Sequence, residues 1–143
     1  MGVVKANDRH QAQSILESFQ RLDEQVIIQE FIQEAKGSDI RILVVNNQVV
    51  GTMKRQSRAG EFRSNLHQGA SAKPIKITDE EERLALKTAK CLGLEVAGID
   101  MLRSKRGPLI LEVNASPGLE GIEHVMKKSI SEEIIKLVEH RVG

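Results

Sequence analysis

Two apolar runs rich in β-branched residues lie only a few residues apart, and they limit the folds open to this chain more than any other feature. They span 96–103 and 108–114, with Lys105, Arg106 and Gly107 between them. Runs of this length and composition predict strands. A connection this short joins only antiparallel neighbours, because parallel strands need a long crossover. The sequence therefore predicts a β-hairpin here.

Further apolar runs extend this hairpin into a sheet with helices. Strands are predicted at 26–32, 40–45, 48–54 and 74–77, and helices at 8–22, 79–92, 119–128 and 130–141. Asn46-Asn47 predicts a tight turn between two of these strands, because asparagine tolerates positive φ. Strands joined directly as hairpins imply a mainly antiparallel sheet with helices on one side, an α+β fold.

Polar residues mark the predicted helix starts. Asn7 or Asp8 can cap the first helix, because a short side-chain acceptor satisfies a free N–H of the first turn. Thr78 with Glu81 and Ser129 with Glu132 each match the capping-box pattern, in which two residues exchange hydrogen bonds. The segment from 55 to 73 breaks the pattern with five basic residues among glycines and small polar residues, which predicts a long polar loop.

Length and charge narrow the class of protein. The 143 residues carry 21 Lys and Arg against 20 Asp and Glu, a net charge of +1, and 40% are apolar. This composition fits one folded domain and excludes a disordered chain. No run approaches the roughly 20 apolar residues of a membrane span, so no membrane partner is expected. Balanced charge predicts no direct nucleic-acid binding, and the single Cys91 predicts a reducing, cytoplasmic setting.

Three oxygen-bearing side chains interrupt the predicted hairpin. Asp100 stands among apolar residues of the first strand, and Glu112 and Asn114 share a face of the second because they are two residues apart. If the loop has three residues, 105–107, Asp100 lies opposite Glu112 on one face, and Gly98 lies opposite Asn114. A two-residue loop would put the two carboxylates on opposite faces. We predict the three-residue loop.

This donor set suggests a metal. Two carboxylates and an amide oxygen are hard ligands that suit Mg²⁺ or Mn²⁺, and Mg²⁺ commonly completes its shell with water and nucleotide phosphates. The turn at 114–118 leads into a predicted helix, where backbone N–H groups can meet an anion. The alternative is that the carboxylates pair with basic loop residues in an ordinary salt-bridged face.

Several segments resemble a known family. Residues 96–100, Val-Ala-Gly-Ile-Asp, followed by Glu-Val-Asn-Ala-Ser-Pro-Gly at 112–118, resemble the C-terminal signature of ATP-grasp carboxylate–amine ligases. Phe-Arg-Ser-Asn-Leu-His at 62–67 and Gly-Leu-Glu-Gly-Ile-Glu at 118–123 resemble the RimK-type ribosomal-protein glutamate ligases more closely. The resemblance implies the C-terminal subdomain of an ATP-grasp fold.

The resemblance also implies a reaction and a set of roles. ATP phosphorylates a carboxylate, and the amine of glutamate attacks the acyl phosphate; in the family the acceptor is the C-terminus of a small-subunit ribosomal protein. Arg63 and Arg55 are expected to act on the transferring phosphoryl group, although Arg55 can instead bind the carboxylates of glutamate. By match to the family, Glu30, Phe31, Asp39, Arg63, Ser64 and Asn65 meet the nucleotide, and Asp100, Glu112 and Asn114 bind Mg²⁺ or Mn²⁺.

The resemblance covers only the later part of an ATP-grasp unit. We expect the strand carrying the phosphate-binding Lys, the Gly-rich loop and the N-terminal domain to be absent from residues 1–143. We therefore expect the chain alone to bind nucleotide weakly and not to ligate, and we expect it to form homo-oligomers through the apolar surface left uncovered.

Other functions compete with this interpretation. A nucleic-acid module would use the basic loop at 54–73, but Phe62 is the only aromatic residue there and stacking platforms need several. A non-catalytic interaction domain is a further alternative, disfavoured because the site residues occur together. Among ligases, the alternative is an enzyme that adds an amino acid to a small molecule or a carrier protein.

Overall fold

The computed structural model describes residues 3–58 and 70–143, which fall into two compact units, Met1–Phe31 and Ile32–Gly143. In the first unit, helix α1 spans Arg9–Arg21, as predicted, and the Asp8 carboxylate accepts a hydrogen bond from the Gln11 amide at 2.8 Å. The predicted first helix and its cap are confirmed.

The strand predicted at 26–32 is wrong. Residues 24–32 form neither a helix nor a strand, and Ile27 is 90% exposed. A β-branched run becomes a strand only where a neighbouring edge offers hydrogen bonds and packing. Among the described residues, none of the sheet's strands pairs with this run.

The second unit is built on one five-stranded sheet. Its strands are β1 Ser38–Val45, β2 Gln48–Gln56, β3 Ser71–Pro74, β4 Val96–Ser104 and β5 Gly107–Asn114, in the spatial order β3-β2-β1-β4-β5. Every neighbouring pair is antiparallel. Helices α2 Asp79–Cys91, α3 Glu120–Met126 and α4 Ser131–Val142 complete the unit, with a short 3₁₀ turn at Gln33–Ala35. The α+β class and the antiparallel sheet are confirmed.

The helices are divided between the two faces of the sheet, where the sequence analysis placed them on one side. Helix α2 packs against the face carrying Ile42 and Ile99. Helices α3 and α4 pack against the opposite face, over Leu43 and Val45. The reason lies in β1, whose last four residues are apolar without alternation. A strand of that composition must be covered on both faces.

Two strand boundaries differ from the sequence prediction. β2 continues to Gln56, so Arg55 lies in the sheet and not in the polar loop. β3 spans Ser71–Pro74 in place of 74–77, because it pairs with the extended end of β2 and runs from Gln56 to Met53 along it. Pro74 closes this edge strand, where its missing N–H costs no ladder bond.

Local turn and cap signals are more accurate. Asn46 and Asn47 have φ of 49° and 58°, which confirms the predicted tight turn. In the capping box of α2, the Thr78 hydroxyl accepts from the Glu81 amide at 3.2 Å, and the Glu81 carboxylate accepts from the Thr78 amide at 2.8 Å. This box is confirmed.

The second predicted capping box forms only in part. The Ser129 hydroxyl accepts from the Glu132 amide at 3.4 Å, and no reciprocal bond from Glu132 forms within residues 70–143. The carboxylate of Glu123, in α3, instead accepts the amides of Ile130 and Ser131 at 2.6 and 2.8 Å. A cap supplied from another helix carries no local sequence signal.

Within residues 3–58 and 70–143, none of the helices has the length and apolarity needed to cross a membrane.

Helix α2 is bound to the sheet by a side chain of its first turn. Glu81 is 2% exposed, and Arg103 of β4 donates to both of its carboxylate oxygens, at 2.5 and 2.8 Å. These hydrogen bonds lower the pKa of Glu81, although burial opposes the shift.

The lowered pKa of Glu81 predicts a pH-dependent stability. Because the carboxyl titrates below its ordinary value in the folded state, its stabilisation is present above pH 4.5 and disappears as the pH falls through the folded pKa. We expect Glu81→Gln to lower the free energy of unfolding by about 1.5–3 kcal/mol at pH 7, and by much less at pH 3. Denaturant unfolding at both pH values measures this difference. The exposed neighbour is the control, and Glu82→Gln should change neither value; an equal loss for Glu81→Gln at both pH values would contradict the assignment.

Candidate functional site

One face of the sheet is apolar at one end and ionic at the other. Side chains two residues apart share a face, so Asp39, Arg41, Leu43 and Val45 of β1 point the same way. Leu43 and Val45 lie under α3 and α4. At the other end, Arg41 is paired directly with Asp100 of β4. The charged side chains therefore gather on the part of this face next to the covered apolar part.

Four side chains at this end form a continuous series of ion pairs, the ionic chain Asp39–Arg55–Asp100–Arg41. Arg55 donates from Nε to Asp39 Oδ1 at 2.8 Å and from Nη2 to Asp39 Oδ2 at 2.5 Å. The same Nη2 donates to Asp100 Oδ2 at 2.8 Å. Arg41 grips Asp100 with two bonds, Nε to Oδ1 and Nη2 to Oδ2, both 2.7 Å. Two carboxylates and two guanidiniums thus balance in charge.

Three of the four members of the ionic chain are buried. Asp39, Arg55 and Asp100 are 3%, 4% and 3% exposed, and within the described residues no buried side-chain nitrogen or oxygen lacks a hydrogen-bond partner. Burial alone would lower the pKa of Arg55, but its hydrogen bonds to Asp39 and the charges of Asp100 and Asp39 outweigh burial and raise it. Forked guanidinium–carboxylate pairs of this kind are the form of ion pair that offsets the cost of leaving water.

A bulge sets the register of the hairpin β4–β5. The connecting turn has two residues, Lys105 and Arg106, because Ser104 pairs with Gly107. The predicted three-residue loop is therefore wrong. The register shifts between Asp100 and Met101, where Leu111 has no partner, and the extra residue returns the strands to the predicted alignment.

The predicted pairing is confirmed in spite of the shorter turn. Asp100 lies opposite Glu112, and Gly98 lies opposite Asn114. Glu112 is exposed and makes no hydrogen bond or ion pair within residues 3–58 and 70–143. The two carboxylates and the amide share one face of the sheet, as a common ligand set requires.

Gly98 is required by close packing. A Cβ at this position would lie 2.7 Å from Pro117 Cβ and 3.8 Å from Asn114 Cβ. The turn that follows β5 therefore rests directly on the backbone of β4. This contact holds Asn114 at the end of its strand.

The donor chemistry fits a hard divalent cation. Asp100 Oδ1 accepts one hydrogen bond and Oδ2 accepts two, so Oδ1 keeps a free lone pair. Glu112 and Asn114 add oxygens on the same face. The described residues contain no group of three or more His, Cys, Asp or Glu that could hold a metal ion. The present set has only two carboxylates and an amide, and Mg²⁺ commonly takes one or two carboxylates and completes its shell with water and phosphates.

The remaining predicted site residues lie in different settings. Asp39 and Arg55 belong to the ionic chain. Glu30 and Phe31 lie exposed in the first unit, where Lys5 Nζ stands 3.9 Å from the centre of the Phe31 ring. The last group, Arg63, Ser64 and Asn65, lies outside the described residues. The nucleotide roles of all these residues stay predictions.

The sequence analysis assigned no role to Arg41. A signal was present in Asp39-Ile40-Arg41, at the start of the strand predicted at 40–45, because residues two apart in an extended segment share a face, as Glu112 and Asn114 do. The alternative interpretation, in which the carboxylates pair with basic loop residues, is correct only in part. Asp100 does pair with arginines, but these belong to strands, and the pairing is buried.

Comparison with known proteins identifies the family. The model of the RimK-like ATP-grasp domain matches residues 1–138. The chain is 53% identical over 139 residues to a probable alpha-L-glutamate ligase of Coxiella burnetii, with 97% of this chain and 46% of that protein aligned. Identity to a probable alpha-L-glutamate ligase of Ectopseudomonas mendocina is 54%, with the same coverage. The chain spans about half the length of the curated relatives it matches.

Solved structures show the same fold. A D-alanine–D-alanine ligase from Bacillus anthracis superposes with a TM-score of 0.72 at 19% identity, over 97% of this chain and 49% of that one. The ATP-grasp ligase PsnB, complexed with a minimal precursor, gives a TM-score of 0.62 at 25% identity, over 80% of this chain and 37% of that one. The expected C-terminal ATP-grasp fold is confirmed.

The close approach at Gly98 predicts a stability and position effect. Gly98→Ala should lower the free energy of unfolding by about 1–3 kcal/mol, the usual cost of overpacking, and should shift the NMR signal of the Asn114 side-chain amide, because Pro117 must move. Gly118→Ala is the matched control, since a Cβ there meets nothing within 4 Å. Equal stability and equal spectra for the two variants would show that the turn does not rest on β4.

Proposed function

The chain belongs to the RimK-like ATP-grasp family, and from this membership we propose that it serves an ATP-dependent ligase that joins a carboxylate to the amine of glutamate. The γ-phosphoryl group of ATP passes to the carboxylate, with ADP leaving. The amine of glutamate then attacks the acyl phosphate, an amide bond forms, and phosphate leaves. Each step needs alignment of the reactants and neutralisation of charge more than covalent help from the protein.

The observation that carries the proposal is the register of β4 and β5. It sets Asp100 opposite Glu112 and Asn114 opposite Gly98, so that three hard oxygen donors share one face. These three residues would hold Mg²⁺ or Mn²⁺. When bound, the cation would offset the negative charge of the nucleotide phosphates. Glu112 is exposed and free to move toward such a complex, whereas Asp100 is held rigidly by the ionic chain.

For Arg55 we propose a different role from the one that the resemblance implies. Arg55 is buried and bound to both Asp39 and Asp100. We assign it to the support of Asp100 instead of contact with the phosphoryl group or the substrate carboxylate. Arg63 keeps the proposed role of meeting the transferring phosphoryl group, and Ser64 and Asn65 that of meeting the nucleotide.

We propose a peptide carboxylate as the acceptor, with the C-terminus of a small-subunit ribosomal protein as the specific case that the resemblance implies. PsnB, which superposes on this chain at 25–28% identity, has been solved with a minimal precursor and with the precursor peptide PsnA2, and this supports a peptide as acceptor. The alternative acceptor is a small molecule or a carrier protein.

We also propose that residues 1–143 by themselves bind nucleotide weakly, do not ligate and self-associate. The support is the match to only 46% of the first relative's length, and three apolar side chains of α4, Ile135, Val138 and Val142, that are more than half exposed. Phosphate release with ATP, Mg²⁺, glutamate and an acceptor peptide should stay at background. Turnover at the rate of a full-length relative would overturn the proposal, and sedimentation velocity of the same sample tests self-association.

The cation site is tested most cleanly at Glu112, because this side chain has no structural partner to lose in the described part of the chain. We expect Glu112→Gln to weaken Mn²⁺ binding in the presence of ADP by about 10- to 100-fold, the range seen when groups around a metal are removed. Water-proton relaxation by Mn²⁺ measures the affinity even when binding is weak.

The control for this experiment is Glu82→Gln, which also removes an exposed carboxylate, but from α2, a helix that packs on the other face of the sheet. It should bind Mn²⁺ with ADP as the unaltered chain does. If Glu112→Gln also binds as the unaltered chain does, the proposed ligand set is wrong.

A further inference from the structure

The two arginines that neutralise Asp100 are not equivalent. Arg55 is bound at both sides, to Asp39 and to Asp100, and its side chain is 5% exposed. Arg41 is bound to Asp100 alone, and its side chain is 17% exposed. Within the described residues Arg41 makes no other ion pair or hydrogen bond through its side chain. Arg55 is therefore a fixed part of the ionic chain, and Arg41 is its replaceable end.

The negative charge of Asp100 is already neutralised by arginines in this state of the protein. Its carboxylate accepts three hydrogen bonds from two guanidiniums, and the ionic chain as a whole carries no net charge. A divalent cation arriving alone would meet one uncompensated carboxylate, that of Glu112, beside two positive groups. Arg41 thus competes directly with a cation for Asp100.

A phosphate anion changes this balance. The guanidinium of Arg41 presents forked donors that fit phosphate oxygens as well as they fit a carboxylate. If Arg41 turns from Asp100 to a phosphate, each oxygen of Asp100 loses one hydrogen bond and regains a lone pair, on the face of the sheet that Asp100 shares with Glu112. Loss of Arg41 leaves Asp100 still paired with Arg55, so the buried carboxylate keeps a partner and the sheet keeps its ionic chain.

We propose that Arg41 is an exchange residue that holds Asp100 until a polyphosphate anion binds, so that the divalent cation and the nucleotide bind interdependently. The inference rests on the proposed function, because it takes Asp100 as a cation ligand. Arg41 acts on the cation through Asp100 and is a positioning residue. By linkage, the factor by which nucleotide strengthens cation binding equals the factor by which the cation strengthens nucleotide binding.

The test measures Mn²⁺ affinity by water-proton relaxation, with and without ADP, in the unaltered chain and in two variants. In the unaltered chain we expect ADP to tighten Mn²⁺ binding by roughly 5- to 150-fold, the usual range of coupling between sites. In Arg41→Gln, Mn²⁺ alone should bind about tenfold more tightly, because the guanidinium that competes for Asp100 is gone; this factor corresponds to about 1.4 kcal/mol. The enhancement by ADP should fall toward one.

Arg41→Lys separates the two-bond grip from net charge. Lysine keeps the positive charge but lacks the forked donors, so Mn²⁺ alone should bind more tightly than in the unaltered chain and less tightly than in Arg41→Gln. The control is Arg103→Gln, which removes an arginine of the same strand as Asp100 that binds Glu81 instead. It should leave both Mn²⁺ affinities unchanged, and circular dichroism confirms that each variant is folded.

The outcomes distinguish the two proposals. One outcome is that Mn²⁺ binds in the presence of ADP, but that without ADP it binds Arg41→Gln no more tightly than it binds the unaltered chain. This result overturns the role of Arg41 and leaves the proposed function standing. Arg41→Lys indistinguishable from the unaltered chain also overturns it, because net charge then explains the result. Absence of Mn²⁺ binding even with ADP overturns both the proposed cation site and the exchange.

Discussion

A charged carboxylate in the middle of a sheet is the constraint around which this unit is built. Asp100 is 3% exposed and lies on β4, between β1 and β5. An unpaired carboxylate at such a position would cost several kcal/mol. Arg41 and Arg55, on the two strands to one side, neutralise it, and Asp39 in turn neutralises Arg55. The ionic chain therefore crosses the three neighbouring strands β2, β1 and β4. The same face becomes apolar where α3 and α4 cover it.

The fold follows from the sequence wherever a local signal decides it. The Asn46-Asn47 turn and the capping box of α2 depend on residues close together in the chain, and both form as predicted. The hairpin β4–β5 forms with the predicted pairing of Asp100 and Glu112, although its turn has two residues and not three. The strand at 26–32 does not form, since a β-branched run reports propensity and not a pairing edge. The division of helices between both faces was also missed, although the unbroken apolar end of β1 indicates it.

The hairpin register shows how a correct pairing can be reached from a wrong loop. From the sequence, a loop with an odd number of residues, 105–107, is needed to bring Asp100 and Glu112 to one face. The structure has a two-residue turn and one unpaired residue, Leu111. Together they leave the same number of unpaired residues between Asp100 and Glu112 as a three-residue loop would, so the two residues still pair. Side-chain period and the need for a shared face determine the alignment, and a bulge or a longer loop satisfies it equally. The sequence thus predicts that an odd number of unpaired residues separates Asp100 from Glu112, but not whether the extra residue lies in the turn or in a bulge.

The candidate site also has a part that the sequence predicts and a part that it does not. Asp100, Glu112 and Asn114 are found from the strand period and the pairing of the hairpin, and the resemblance implies the same three ligands. The partners of Asp100 are 59 and 45 residues away in sequence, and the Arg55–Asp39 pair spans 16. Such pairs depend on the order of strands in the sheet, which no local pattern encodes. The arrangement also joins folding to binding: the arginines that make a buried carboxylate tolerable are the groups with which any cation at Asp100 must compete. An arginine that stabilises the free protein in this way therefore also lowers the affinity of the site for a cation.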